Sequence, residues 1–389
     1  MANVLTLDCE TLTSNKGNPF DLTNKLVCVG LKWNHLSDEH IQCVYEGGFD
    51  VIQYEIDRAD LLVGFNIKFD LHWLRQIGID ISRVKVWDCQ IGEFLLENQT
   101  NPYPSLDQAA EKYGFDKKLD IVKTEYWNKG IDTDCIPREV LSEYLAQDLT
   151  LTEQVFLEQH RQFKEEAKDK YTLFKLLCMD LLVLEEMEYN GIKFNTKEAR
   201  QYATQIDIEQ QEIYQKLVEL IGNIPFNLNS NDHVSAILYG GFICIDDRIP
   251  VGVYKSGAKV GHTRYKIVTK KYDLPRLVEP LKGTETKEKE GEDTKYWLVN
   301  NTVLRTLKLS KRAKELVQLI QQYGELDKLK NTYLLGYSDL ITKMNWEEDT
   351  LHGTLNQCTV VTGRLSSTRP NLQNSDPITK TFMRSKYVN

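Results

Sequence analysis

Three early runs, Val4 to Asp8, Leu26 to Trp33 and Ile41 to Tyr45, are short and rich in β-branched and apolar residues, with polar turns such as Ser14-Asn15-Lys16-Gly17-Asn18 between them. They predict three consecutive antiparallel strands. Helical spacing follows. Ile56 to Val63 sets apolar positions among charges, Phe69 to Ile77 carries Leu71, Leu74 and Ile77, and Glu139 to Lys168 predicts a long helix after Pro137. From Tyr171 the pattern is almost wholly helical, with Leu173, Leu176, Leu177, Leu181, Leu184 and Met187 on one side and a stop at Asn190-Gly191; it returns over Ala199 to Ile221. Between Gly240 and Pro280 come short basic β-like runs, Gly252 to Lys255 and Arg264 to Lys271, followed by a charged tract, Lys282 to Lys295, read as a solvated loop. Helices resume at Thr302 to Leu307 and Lys311 to Leu335, and Trp346 to Val361 reads as a hairpin around Glu348-Asp349. No repeat recurs at a fixed period.

Length and composition narrow the class. A chain of 389 residues exceeds one typical core, so two or more domains are expected, and 41% hydrophobic with 27% charged residues describes a folded globular protein. No window approaches the roughly 18 to 20 apolar residues of a membrane span, and the start lacks a basic-then-apolar leader, so the expectation is a cytoplasmic protein with no membrane partner. The eight cysteines form no CxxC pair and the seven histidines no HxH or HxxxH cluster, which argues against zinc and disulfide frameworks. Charge is split: residues 1 to 150 hold 14 Lys and Arg against 25 Asp and Glu, whereas 251 to 275 carry six basic and one acidic residue and 351 to 389 five and one. An acidic first part followed by basic patches suggests a metal-carboxylate site attached to an anion-binding platform.

A strand ending in Asp8-Cys9-Glu10 places two carboxylates at one end of a sheet, where hard oxygen ligands reach a shared divalent cation. Alone, D-x-E is as well a solvated strand end. In Gly64-Phe65-Asn66-Ile67-Lys68-Phe69-Asp70 the aspartate opens a helical stretch, where it also suits the helix dipole. In Tyr144-Leu145-Ala146-Gln147-Asp148 a spacing of four puts phenol and carboxylate on one helix face, an arrangement shared with ordinary surface pairs. Taken in order, D-x-E, N-x-x-x-D and Y-x-x-x-D on strand, helix start and late helix form a specific signal. Cys9 is expected to turn away into the core, and Asp88 is read as structural.

These motifs resemble the DEDD superfamily of 3′-5′ exonucleases in its tyrosine subtype, which has an RNase H-like fold. The resemblance implies that Asp8, Glu10, Asp70 and Asp148 hold two Mg²⁺ ions, with Mn²⁺ as a substitute, about 4 Å apart. Asp8 would bridge them, and Tyr144 would orient the attacking water. Mg²⁺ prefers oxygen ligands, consistent with the missing His/Cys cluster.

Further on, Thr362-Gly363-Arg364-Leu365-Ser366-Ser367-Thr368-Arg369-Pro370-Asn371-Leu372-Gln373-Asn374 offers a glycine for close backbone approach, two arginines for phosphates or groove edges, and amides for nucleotide edges. It closely resembles the T-G-R-L-S-S-x-x-P-N-L-Q-N motif of family A DNA polymerases, the DNA polymerase I type with its phage members. Leu184 to Ile192, Phe226 to Ser230 and Tyr323 to Tyr333 extend the likeness in family order. The resemblance implies that Arg364 reads the primer-terminal minor groove while Asn371 and Gln373 contact the template side. The implied organisation is an α/β RNase H-like exonuclease domain (1–168), a helical lead-in (169–239), a mainly helical thumb (240–345) with a basic insertion over about 240–295, and a partial palm (346–389).

The expected activity is metal-dependent proofreading of single-stranded 3′ ends together with a grip on primer-template DNA in replication. After Asn374 the sequence departs from the family: no D-Y-S-x-x-E-L-R-like segment, fingers helix or late H-D-E-like motif follows. The expectation is therefore a split or truncated polymerase that synthesises DNA only with a second polypeptide carrying fingers and remaining palm, and that leaves Phe382, Met383, Tyr387 and Val388 uncovered. The insertion would contact duplex DNA or a processivity factor, or be a surface elaboration. The expected setting is a phage-infected bacterial cytoplasm. Two alternatives stand: a free-standing RNase D-like or Werner-like exonuclease, which does not require the Thr362 to Asn374 motif, and a non-catalytic primer-template clamp.

Overall fold

The five strands β1 (Val4–Thr11), β2 (Leu26–Trp33), β3 (Gln42–Tyr45), β4 (Leu61–Gly64) and β5 (Val86–Asp88) form one sheet in the order β3-β2-β1-β4-β5. The computed structural model describes residues 3–116, 120–286 and 296–387, and these fall into two compact units, 1–196 with 337–389, and 197–336. In the sheet β1, β2 and β3 are antiparallel, as their pattern predicts, while β4 and β5 run parallel to β1. Every position of β2 is buried, because layers cover both faces. One expectation fails here. Ile56 to Val63 is not one helical stretch: α1 (Asp50–Asp57) ends and Leu61-Leu62-Val63 enters the sheet as β4. A parallel strand buried on both faces is a continuous apolar run, which short-range periodicity does not separate from a helix.

Helices α2 (Lys68–Gln76), α3 (Cys89–Leu96), α4 (Leu106–Tyr113) and α5 (Ile121–Glu125) follow, then the long α6 (Arg138–Glu165). Asp88 caps α3: its Oδ1 accepts from the N–H groups of Gln90 at 2.8 Å and Ile91 at 3.0 Å, and its Oδ2 from Ile67 N–H at 2.9 Å. The side chain thus ties the end of β5 to two helix starts, the structural role its sequence context suggests. Burial pushes its carboxyl up to about 6 even against those donors.

Helix α7 (Lys168–Asn190) stops at Gly191, whose φ of 64° favours glycine and where a Cβ would lie 2.8 Å from Leu351 O. Its buried face is Phe174, Cys178, Leu181 and Leu184 with Glu185 and Glu188; Leu173, Leu176 and Met187 of the expected apolar side are exposed, along with Met179 and Val183. Acidic Glu185 and Glu188 face inward because hydrogen-bond donors from α2 meet them. Lys68 Nζ lies 2.6 Å from Glu188 Oε1, His72 Nε2 lies 2.8 Å from Glu188 Oε2, and Arg75 donates to both oxygens of Glu185 at 3.1 and 2.7 Å. Hydropathy alone assigns such a face to solvent. Strand β6 (Ile192–Phe194) then leads out of this unit.

The second unit holds α8 (Thr196–Ile221, its first residue still in the first unit), α9 (Asn231–Tyr239), and a hairpin of β7 (Gly241–Val253) and β8 (Thr263–Leu274), much longer than the two basic runs suggest. It continues through α10 (Asn301–Thr306) and α11 (Lys311–Lys328). A π-helical turn, Leu329–Leu334, joins α11 to α12 (Leu335–Lys343), which from Tyr337 on belongs to the first unit, so the helix expected over Lys311 to Leu335 is interrupted and runs further. Ile213, Leu217, Tyr239, Leu316 and Val317 are among the buried side chains of this core. Residues 287–295 of the expected charged loop lie outside the described residues.

Back in the first unit, β9 (Thr350–Leu351), β10 (Thr354–Asn356), β11 (Ser366–Thr368), α13 (Pro377–Lys380) and β12 (Met383–Arg384) complete the fold. The hairpin expected around Glu348-Asp349 is absent among these residues. β9 pairs instead with β6, β12 with the other edge of β6, and β10 with β11. Phe382 and Met383 are half-buried rather than bare, while Tyr387 is exposed with its hydroxyl donating to Asn190 Oδ1 at 2.6 Å; Val388 lies outside the described residues.

Candidate metal centre and nucleic-acid loop

Period-two geometry puts Asp8 and Glu10 on one face of β1 and Cys9 on the other. Cys9 is buried in the main core of the unit, as expected. Helix α6 crosses the acidic face closely because Gly30, the β2 partner of Asp8, leaves room for Leu145 and Leu149. That approach delivers Asp148. Asp8, Glu10 and Asp148 each offer a carboxylate oxygen, and these oxygens lie within 4.8 Å of one another.

Asp70, in the first turn of α2, is buried, and its Oδ1 accepts from Cys9 N–H at 2.9 Å. It therefore sits beside this cluster, outside the group of three. Burial, and then the negative charge of Asp8, push its carboxyl well above the usual carboxylate range, against the Cys9 hydrogen bonds. Crowded carboxylates are what a divalent cation neutralises, and an all-oxygen donor set suits a hard ion such as Mg²⁺. Tyr144 lies one turn before Asp148 on α6; its ring is buried and meets Trp127 edge-on, with centroids 6.1 Å apart.

The Thr362 to Asn374 loop folds back on itself. Ser367 Oγ donates to Pro370 O at 3.1 Å and accepts from Leu372 N–H at 3.2 Å, and Arg369-Pro370 is a cis peptide. Gln373 Nε2 donates to Leu365 O at 3.2 Å, Asn371 O accepts from Tyr337, and Arg364, Asn371 and Gln373 all stand at the surface. Sequence reasoning passed over a cavity of about 300 Å³ in the same unit, lined among others by Asn66, Gln90, Tyr103, Gln357 and Arg369. Among its lining residues, Asn66 and Lys68 of the N-x-x-x-D segment, Asp88, and Arg369 of the loop already stand out in the sequence.

Residues 274–386 match the family model for DNA polymerase family A. DNA polymerase I of Bacillus subtilis (strain 168) is 28% identical over 304 residues, which cover 77% of this chain and 28% of that protein. The DNA polymerase of Bacillus phage SP01 is 24% identical over 347 residues, 82% of this chain and 34% of the relative. The chain thus matches about a third or less of these relatives' length. Among solved structures, the POL domain of Pol1 from M. smegmatis, in complex with DNA primer-template and dNTP, superposes with a TM-score of 0.63 at 13% identity, covering 98% of this chain and 54% of that one. No helix among the described residues is long and apolar enough to cross a membrane. In sequence and in fold the protein is family A DNA polymerase-like.

Proposed function

We propose that the protein is a metal-dependent 3′-5′ exonuclease on an RNase H-like domain, coupled to a surface that grips primer-template DNA. The observation that carries this reading is the meeting of Asp8, Glu10 and Asp148 oxygens within 4.8 Å, with Asp70 fastened beside them through the Cys9 N–H. When bound, a pair of divalent cations activates water and stabilises the departing 3′ oxygen. The chain's own part is to fix its carboxylates on a rigid strand and two helices. Tyr144, held by its packing against Trp127, has the task of orienting the water. The grip belongs to the exposed loop around Arg364, with Asn371 and Gln373 on the template side; its polymerase I-type relatives, and a structural neighbour bound to primer-template DNA, support this part. A free-standing ribonuclease has no need of the polymerase-like stretch 274–386.

The test follows digestion of a 5′-labelled single strand with Mg²⁺. Wild type should shorten it from the 3′ end, and Asp8→Ala or Asp148→Ala should cut the rate by orders of magnitude. Equal rates for wild type and Asp8→Ala, or full activity in EDTA, would sink the reading.

A further inference from the structure

The β7–β8 hairpin is a two-stranded ribbon whose outer half projects its side chains into solvent: every residue from Arg248 to Ile267 is exposed. Residues 248–271 contain seven Lys and Arg and no Asp or Glu. Lys270 is engaged with Asp247 at 2.7 Å and Lys271 lies over the Phe242 ring. Among the described residues, no carboxylate lies within ion-pair distance of Arg248, Lys255, Lys259, Arg264 or Lys266. Cations left without acidic partners on an exposed ribbon concentrate positive potential there.

The register adds the second observation. Arg248 pairs with Ile267 and Pro250 with Tyr265, and Thr263 follows on the same side of β8. With the loop beyond, this face forms a shallow concavity of about 520 Å³ walled by Arg248, Tyr254, Lys259, His262, Tyr265 and Ile267. Tyr265 is 52% exposed and Tyr254 37%, so both rings present surface to solvent. A ribbon reading a duplex groove needs donors and acceptors aimed at base edges. This face offers rings and aliphatic side chains among its cations, which suits bases free to stack and a backbone free to follow the charges.

We propose that this face of the β7–β8 ribbon is a binding site for single-stranded DNA, with Tyr254 and Tyr265 as stacking platforms and Arg248 and Lys259 on phosphates. The site is distinct from the carboxylate cluster and its test does not require the nuclease reading to hold.

Affinity of the full chain for a fluorescent single-stranded oligonucleotide and for a duplex of equal length is measured by anisotropy in EDTA, which prevents digestion. Tyr254→Ala with Tyr265→Ala should weaken single-strand binding about ten-fold or more and duplex binding far less, and the Tyr→Phe pair should restore it. Arg248→Ala and Lys259→Ala together should flatten the salt dependence, by about 0.7 in log-log slope for each phosphate that is no longer neutralised. Unchanged single-strand affinity in the Tyr→Ala pair overturns the proposal, and so does an equal loss for duplex. It is overturned likewise if these variants bind DNA normally but lose a polypeptide partner. Mg²⁺-dependent digestion by the same variants reports on Asp8 separately.

Discussion

Gly30 of β2 lies against Leu145 of α6: a Cβ at Gly30 would stand 2.7 Å from Leu145 Cγ and 2.7 Å from Leu149 Cδ1. Those leucines bracket Asp148 on the helix, so the missing side chain of one residue sets where a carboxylate from another element arrives. Close-packed interiors transmit such a shift.

Gly30→Ala therefore should act on both stability and site. Overpacking should cost about 1 to 3 kcal/mol in denaturant unfolding. Metal-dependent digestion should fall well beyond what the unfolded fraction explains, since Asp148 is carried away from Asp8 and Glu10. Retention of full specific activity in the folded variant would show that α6 is not positioned this way.

Glu188 compensates the Lys68 ammonium and pairs with the His72 ring in a buried setting. Burial alone would raise its carboxyl, but the His72 hydrogen bond and the Lys68 charge hold it below the ordinary value. Glu188→Ala should destabilise the first unit by about 3 to 5 kcal/mol, because it strands charge away from water, while Glu188→Gln should cost less. Chemical denaturation of both variants distinguishes this from a solvated pair, for which the loss would be under about 1 kcal/mol.

His352 stacks on Phe20, with ring centroids 4.1 Å apart, and its Nδ1 lies 2.8 Å from Glu188 O. Burial pushes its imidazole down to about 4, with Lys386 and His72 adding to the effect and Glu188 O and Glu347 opposing it. The folded protein then keeps this ring neutral where the unfolded chain protonates it, so the unfolded state binds more protons between about pH 6.5 and 4. Stability is fully present above that window and is lost as pH falls through it, by up to about 3 kcal/mol. Thermal unfolding followed from pH 7 to 4 should show this slope, and His352→Asn should flatten it.

Arg364 tests the other half of the proposed function. Arg364→Ala should weaken primer-template duplex binding by about 1 to 3 kcal/mol, the range of specific groove contacts. Affinity of the wild type should also fall steeply with salt. Titration of labelled duplex in EDTA at two salt concentrations measures both, and indifference to mutation and salt together would refute the grip.

Strand, helix and motif positions that depend on neighbours in the chain were legible in the sequence: β2, α2, α6 and α8 lie where their patterns put them, and the motifs single out Asp8, Glu10, Asp70, Tyr144 and Asp148, of which Asp8, Glu10 and Asp148 bring their oxygens together. Period and composition suffice there because the helices each bury one consistent face, while β2, buried on both, is a short apolar run bounded by polar turns. What only the tertiary structure decided are the pairings between distant residues. β9 and β12 take opposite edges of β6, and the expected hairpin at Glu348-Asp349 gives way to them, because strand pairing is chosen by register and burial across the whole chain. Leu61 to Val63 is a strand because α6 and the rest of the core cover it. Glu185 and Glu188 face inward because Lys68, His72 and Arg75 wait on α2, a compensation between helices more than a hundred residues apart that no local pattern encodes.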